Sequence, residues 1–167
     1  IIAGGGTGGH LFPALAIADE IIKHKNYNVI FFGSRYGIES KFFSRYPMEY
    51  HLLNIRGIQR SKSFKAFLIN FVFPYRFIHS LFKTFLLFLK INPILVIGTG
   101  GYASGIPLIV ATMMKKKIII QEQNSIPGFT TQKLSRYAQV TCTAYQQAKN
   151  QLSSRTMLTG NPVRSNL

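Results

Sequence analysis

Seven short apolar runs alternate along this chain with longer stretches of helical periodicity, and that alternation is the strongest constraint on its fold. Strands joined through helices pair in parallel, and both faces of such a sheet must then be covered. The expected strands are Ile1–Ala3, Asn28–Phe32, His51–Ile55, Ile94–Ile97, Ile118–Gln121, Val140–Thr143 and Met157–Thr159. Helices are expected over Pro13–His24, Gly37–Tyr46, Phe64–Phe73, Tyr75–Lys90, Ile106–Met114, Thr130–Tyr137 and Ala144–Leu152. In the first helix Leu15, Ala18 and Ile22 share a face, and Pro13 suits an opening turn, where its missing N–H costs nothing. The pattern predicts an α/β fold, a Rossmann-like parallel sheet with helices on both faces. A length of 167 residues is one domain at roughly 150 residues per domain, and a chain this size buries about 70% of its surface.

Twenty Lys and Arg face five Asp and Glu, for a net charge of +15, and beyond residue 50 the sole acid is Glu122. Such a field favours anionic partners: nucleic acid, an anionic membrane or phosphorylated substrates. No nucleic-acid-binding module is recognisable, so nucleic acid is not an expected partner. The single Cys142 forms no internal disulfide, and with no Cys/His cluster neither a metal nor a cofactor is expected. The sequence opens at Ile1 inside the first strand, so an initiator segment is expected to precede it, and no cleavable signal segment is visible.

Residues 64–90 hold eight of the fourteen phenylalanines. A transmembrane span needs about 20 predominantly apolar residues, but Lys65, Arg76, His79, Lys83 and Lys90 interrupt this stretch and Pro74 divides it. Arg76, His79, Ser80 and Lys83 fall on one helical face, leaving an apolar arc wider than one sheet requires. Two readings fit: a helix lying in a membrane interface with lysines snorkelling to phosphates, or one covered by a further domain.

Two glycine loops carry the chemistry. Gly4-Gly5-Gly6-Thr7-Gly8-Gly9-His10 follows the first strand and precedes a helix, where backbone N–H groups and the positive helix end approach a phosphate. A dinucleotide site also wants an acid after the second strand, where Phe32-Gly33-Ser34-Arg35 offers none. The second loop, Gly98-Thr99-Gly100-Gly101-Tyr102-Ala103-Ser104-Gly105, follows the fourth strand and is expected to open a helix at Ile106-Pro107. Such loops can face each other across one crevice, and Gly5, Gly6, Gly100, Gly101, Tyr102 and Ser104 are expected to clasp a diphosphate between them. Gln121-Glu122-Gln123-Asn124 ends the fifth strand. There Glu122 is either a supporting catalytic acid that binds sugar hydroxyls with Asn124 or a carboxylate held by structural hydrogen bonds. The chain closes on Thr159-Gly160-Asn161-Pro162-Val163-Arg164.

Taken in order and at these intervals, GGGTGGH, NIRGIQRS, GTGGYASG, QEQN and TGNPVR closely resemble the MurG family of peptidoglycan N-acetylglucosaminyltransferases over essentially the whole chain. The resemblance implies the amino-terminal half of a two-domain GT-B glycosyltransferase, with residues 1–155 as an acceptor-binding, membrane-associating domain and 156–167 opening the interdomain linker. The donor domain would lie outside this sequence. The implied reaction moves N-acetylglucosamine from UDP-N-acetylglucosamine to the C4 hydroxyl of the muramyl sugar of lipid I, with inversion, making lipid II for the cell wall and serving cell shape and division. The implied location is the cytoplasmic face of the bacterial inner membrane, peripheral, on anionic lipid. Thr7, Gly8, Gly9, Asn124 and Arg164 match donor-sugar contacts. His10 matches a candidate general base, and a helix start disfavours a positive imidazole; it could equally serve as a structural prop. Phe71, Phe82, Phe85 and Lys83, with Lys115, Lys116 and Lys117, match a membrane patch. The chain departs from the family at Gln121, where His is common, at Ile106, where Pro is common, and at the lysine triplet, where a glycine turn is common. An alternative is a non-catalytic, membrane-recruiting subunit of a split glycosyltransferase.

Overall fold

The computed structural model describes residues 1–24, 26–43 and 48–163. Seven parallel strands form one sheet: β1 Ile2–Ala3, β2 Ile30–Ser34, β3 Glu49–Leu53, β4 Leu95–Gly98, β5 Lys117–Glu122, β6 Val140–Thr143 and β7 Thr156–Leu158. Their order across the sheet is β3-β2-β1-β4-β5-β6-β7. The chain therefore begins in the middle, winds outward through β2 and β3, and returns to β4 on the other side of β1. Registers Ile2↔Ile97 and Ala3↔Gly98 place the loops after β1 and β4 side by side, at the switch point where open α/β sheets bind ligands.

Alternation along each strand divides the core in two. Ala3, Phe32 and Val96 point to one face, packed under α4 (Phe73–Ile91) and α5 (Gly101–Met113). Ile2, Phe31 and Ile97 point to the other, under α1 (Gly8–Lys23). The shorter helices are α2 Glu39–Phe42, α3 Phe64–Phe71 and α6 Phe129–Leu134, the last continued by a 3-10 turn at Ser135–Tyr137.

Several boundaries differ from the sequence pattern. Both α1 and α5 start five residues earlier than expected, inside their glycine loops, which places Pro13 and Pro107 within helices rather than at their starts. Each proline gives up one backbone bond, and glycine in the first turn lets the chain enter the helix at a sharp angle to the strand. The helix expected over Gly37–Tyr46 is formed at Glu39–Phe42, and residues 44–47 lie outside the described residues. The helix expected over Ala144–Leu152 is a 3-10 run, Gln146–Gln151. The last strand, expected at Met157–Thr159, forms at Thr156–Leu158 and pairs with β6 at the sheet's edge.

The helix α4 reverses part of the expected pattern. Ser80, expected on a polar outer face, is buried along with Thr84 and Phe88. The Ser80 and Thr84 hydroxyls are buried without a hydrogen-bond partner among the described residues, while Tyr75, Ile78, Phe82, Leu86 and Leu89 are exposed. The 64–91 stretch is long and apolar enough to cross a membrane by composition, yet Phe73, Phe77, Leu81 and Phe85 pack it along the core.

Candidate functional site

The first loop is built around a buried carboxylate. Gly5 and Gly6 both take positive φ, 124° and 86°, which L side chains rarely adopt. Glu39, fully buried, accepts the Gly6 N–H on Oε2 at 2.9 Å and the Ser34 N–H on Oε1 at 2.8 Å. Three glycines make room for it: a Cβ on Gly5, Gly33 or Gly37 would come within 2.8 Å of Glu39. Gly6 therefore does not offer its N–H to a diphosphate, contrary to expectation, because an internal anion already holds it. Gly5 is buried beneath the loop. Beyond them Thr7 caps α1 in an extended conformation without a side-chain bond. The N–H groups of Gly8 and Gly9, in the first turn, have no partner within the helix.

The second loop presses against the first. Gly100 and Gly101 take φ of 89° and 72°, and a Cβ on Gly101 would stand 2.4 Å from the Gly5 carbonyl oxygen. The helix α5 begins at Gly101, so Tyr102, Ala103 and Ser104 belong to its first turn, whose amides have no partner within the helix; Gly101 and Tyr102 line the groove, while Ala103 and Ser104 are buried. The Ser104 hydroxyl donates to the Gly101 carbonyl at 3.0 Å. The Tyr102 ring closes over Gly6 and Gly57; burial, aided by the negative Glu39, pushes its phenol pKa up, partly offset by a side-chain hydrogen bond with Ser34 and by the positive Arg56.

His10 is the joint between the two loops. Its carbonyl accepts the Thr99 hydroxyl at 2.8 Å, and its ring Nδ1 lies 3.0 Å from the Thr99 carbonyl. A carbonyl only accepts, so the bonding network assigns the proton to Nδ1 and the lone pair to Nε2. The Gln123 side-chain amide touches the same Nδ1, and its Oε1 has no other partner. An amide can present either atom, and only its oxygen suits a protonated Nδ1.

At the end of β5, Glu122 is buried and wholly engaged: Oε1 accepts from the Asn124 backbone N–H at 3.0 Å and from Asn124 Nδ2 at 2.9 Å, and Oε2 accepts from the Gly128 N–H at 3.2 Å. It thus positions Asn124 rather than reaching a substrate, a correction to the supporting catalytic role. Asn124, exposed, keeps its Oδ1 free to accept from a ligand donor. Gln121 is buried and donates to Asn161 Oδ1 at 3.4 Å, leaving its own Oε1 without a partner. Arg164 lies outside the described residues.

A groove of about 600 Å³ runs from His10, Gly101 and Tyr102 toward the start of α4. Ile55, Ile58, Phe73 and Phe77 wall it, with Arg56, Arg60 and Lys133 among its cations. Sequence reasoning missed the carboxylate beneath the first loop and the cations of the groove. Glu39 was hidden because nothing in GIES separates a buried acid from a helix-start acid. The cations at Arg56 and Arg60 were read only as part of a family motif.

The expected membrane residues divide. Phe71 and Phe82 are exposed, at 74% and 64%. Phe85 instead packs on the core and Lys83 is half-buried. Lys115 and Lys117 are exposed at the sheet end remote from the loops, and Lys116 donates to Asn92 Oδ1, just past α4, at 2.6 Å.

Residues 1–143 match the glycosyltransferase family 28 N-terminal domain. The chain belongs to that family. It is 43% identical over its whole length to the UDP-N-acetylglucosamine--N-acetylmuramyl-(pentapeptide) pyrophosphoryl-undecaprenol N-acetylglucosamine transferase of Christiangramia forsetii, and 40% identical to that of Flavobacterium psychrophilum. It spans 45% of the length of either relative. The crystal structure of Acinetobacter baumannii MurG superposes with a TM-score of 0.76 at 25% identity, over 99% of this chain and 45% of that one. The family 28 assignment fits the geometry, since both glycine loops and β5 converge on one crevice.

Proposed function

We propose that this chain is the acceptor-binding half of a GT-B enzyme that transfers N-acetylglucosamine from UDP-N-acetylglucosamine to the muramyl C4 hydroxyl of an undecaprenyl-diphosphate-linked pentapeptide acceptor, making lipid II for peptidoglycan. The observation that carries the reading is His10, fastened to both loops with Nδ1 engaged and Nε2 left open. In the reaction the acceptor oxygen forms a bond to the sugar C1 as the C1–O bond to UDP breaks, so UDP leaves and the configuration inverts. The hydroxyl proton passes to His10 Nε2.

Thr7, Gly8 and Gly9 face the donor sugar from the start of α1, and Asn124 Oδ1 accepts from one of its hydroxyl or amide groups; Arg164 completes the set. The first turn of α5, through Gly101, Tyr102 and Ser104, meets the acceptor diphosphate with amide groups and the positive helix end. Gly8 and Gly9 supply the amides that Gly6 does not. The partner half provides the remaining donor contacts.

The exposed apolar side of α3 and α4 lies in the interface of an anionic inner-leaflet membrane, on its cytoplasmic face, and the enzyme is peripheral. Its support is the row of large exposed side chains Phe64, Phe67, Phe71, Tyr75, Ile78 and Phe82 on α3 and on α4, whose opposite side is packed on the core. The lysine triplet adds attraction of about 1 kcal/mol per Lys near the surface.

The test is transfer of labelled N-acetylglucosamine to a lipid I analogue. The full-length protein is expected to turn over and residues 1–167 alone to be inactive. No transfer by the full-length protein, or full turnover by the half, overturns the assignment.

A further inference from the structure

Among the described residues one group of cations has no carboxylate within ion-pairing distance. The Arg56 guanidinium carbon stands 4.4 Å from the centroid of the Tyr36 ring, and that of Arg76 stands 5.3 Å from the same centroid. Tyr36 follows β2 and is fixed by its hydroxyl, which donates to Asn54 Oδ1 at 2.8 Å. Arg56 comes from the segment after β3 and Arg76 from α4, so three separate elements bring these groups together. Arg76 Nη1 is buried without a hydrogen-bond partner. Two guanidiniums about one ring repel each other, and buried positive charge is normally neutralised.

The five acids of the chain are placed elsewhere. Glu20 pairs with Lys23, and Glu49 with His51. Glu39 spends its oxygens on the Gly6 and Ser34 N–H groups, and Glu122 on N–H groups of the loop that follows it. Asp19 lies on α1, across the sheet from α4. Arg56, paired with Arg76 and without a carboxylate, lines the groove that also contains His10 and Tyr102, a setting that suits an anion. The Tyr102 phenol already senses Arg56.

We propose that Arg56, stacked on Tyr36 and backed by Arg76, clamps the diphosphate of the lipid-linked acceptor. This rests on the acceptor assignment above and adds a residue that sets acceptor affinity. Three observations select this occupant. A guanidinium fork matches phosphate oxygens two at a time, and stacking on a ring fixes its plane. The groove beside it is apolar, walled by Ile55, Ile58, Phe73 and Phe77, which suits the first isoprenyl units of a lipid and not a nucleoside. The first loop offers less to a diphosphate than its glycines suggest, because Gly6 is already bonded to Glu39. Arg60 lines the same groove and adds a second positive charge at its rim.

The experiment compares the full-length enzyme with its Arg56→Gln and Arg56→Lys variants, varying UDP-N-acetylglucosamine and a polyprenyl-diphosphate-linked muramyl acceptor independently. Farnesyl diphosphate and farnesyl monophosphate serve as competitors. Loss of a charge-assisted bidentate contact is expected to raise the acceptor KM about ten- to a hundredfold in Arg56→Gln, with the UDP-N-acetylglucosamine KM unchanged. Arg56→Lys, which keeps charge but not the fork, falls between. Farnesyl diphosphate inhibition weakens in parallel with the acceptor KM, more than inhibition by the monophosphate. An acceptor KM that stays at the wild-type value, or a shift confined to the donor KM, overturns the clamp while leaving the transfer reaction standing. If wild type itself shows no transfer, it is the acceptor assignment that fails. Should Arg56→Gln not fold, as read by its melting transition, Arg56→Lys and the competitor pair decide.

Discussion

The two glycine loops look like copies of one device and are built to opposite plans. The loop after β1 is organised from beneath by an anion: Glu39 fills the space of three missing side chains and holds Gly6. The loop after β4 has no such anchor, and α5 begins within it, so its first-turn amides and the positive helix end remain available. Among the described residues the first loop is therefore seated on an internal carboxylate that takes the Gly6 N–H and leaves the Gly8 and Gly9 amides without a partner, whereas the second has no carboxylate beneath it. Glycine content reports that backbone comes close to something; only the partner tells whether that is a ligand or the protein's own carboxylate.

Predictions follow from pairs that look alike in sequence. Where the two plans meet, His10→Ala in the full-length enzyme is expected to lower turnover by about 10²- to 10⁴-fold, the usual contribution of a general base, with less effect on donor affinity; unchanged kcat removes His10 from that role. Gly101→Ala should destabilise the fold by about 2–4 kcal/mol in urea titration, from a strained φ and a Cβ set against the Gly5 carbonyl. Gly9→Ala, whose Cβ would meet nothing nearer than 4.0 Å, should cost no stability, and equal losses for the two would erase the contrast. Glu39→Gln turns an amide N–H₂ toward backbone donors and should cost about 1–3 kcal/mol; a neutral result would mean that the first loop does not depend on its carboxylate.

Smaller effects separate the two sides of α4. Phe71→Ser with Phe82→Ser should cut sedimentation with anionic liposomes about tenfold, judged from the apolar burial lost, with little change in melting temperature. Phe85→Ser should do the reverse, since that ring is already packed on the core. The smallest effect concerns His51, whose pKa is lowered chiefly by burial, against the opposing pull of Glu49 and with help from Lys83 and Lys90. The unfolded chain then binds the proton more readily than the folded one. His51 is neutral in both states well above 6.5, its ordinary value, and stability falls as pH drops through that value toward the depressed one. His51→Gln should flatten that fall in an acid titration of stability.

The strand sequence was legible because parallel strands buried on both faces are short and continuously apolar, as in Ile118–Ile120. Helix starts were not, because Gly8 and Gly101 break helices in isolation and begin them here only under pressure from the neighbouring loop. Glu122 showed its position but not its role: a lone acid among amides reads equally as sugar ligand or internal staple, and three donated N–H groups decide for the staple. Ser80 misled because a small hydroxyl fits both a wet surface and a tightly packed buried position. The Arg56, Tyr36 and Arg76 grouping joins residues up to forty positions apart and has no linear signature.

Two of the five carboxylates are folded inside, where they serve as scaffolding. The exterior is consequently almost of a single sign, and two copies approaching within the Debye length of about 8 Å at physiological ionic strength repel each other. Self-association and solubility of this protein should therefore be governed by the salt and polyanions around it, with low salt keeping molecules apart and multivalent anions drawing them together.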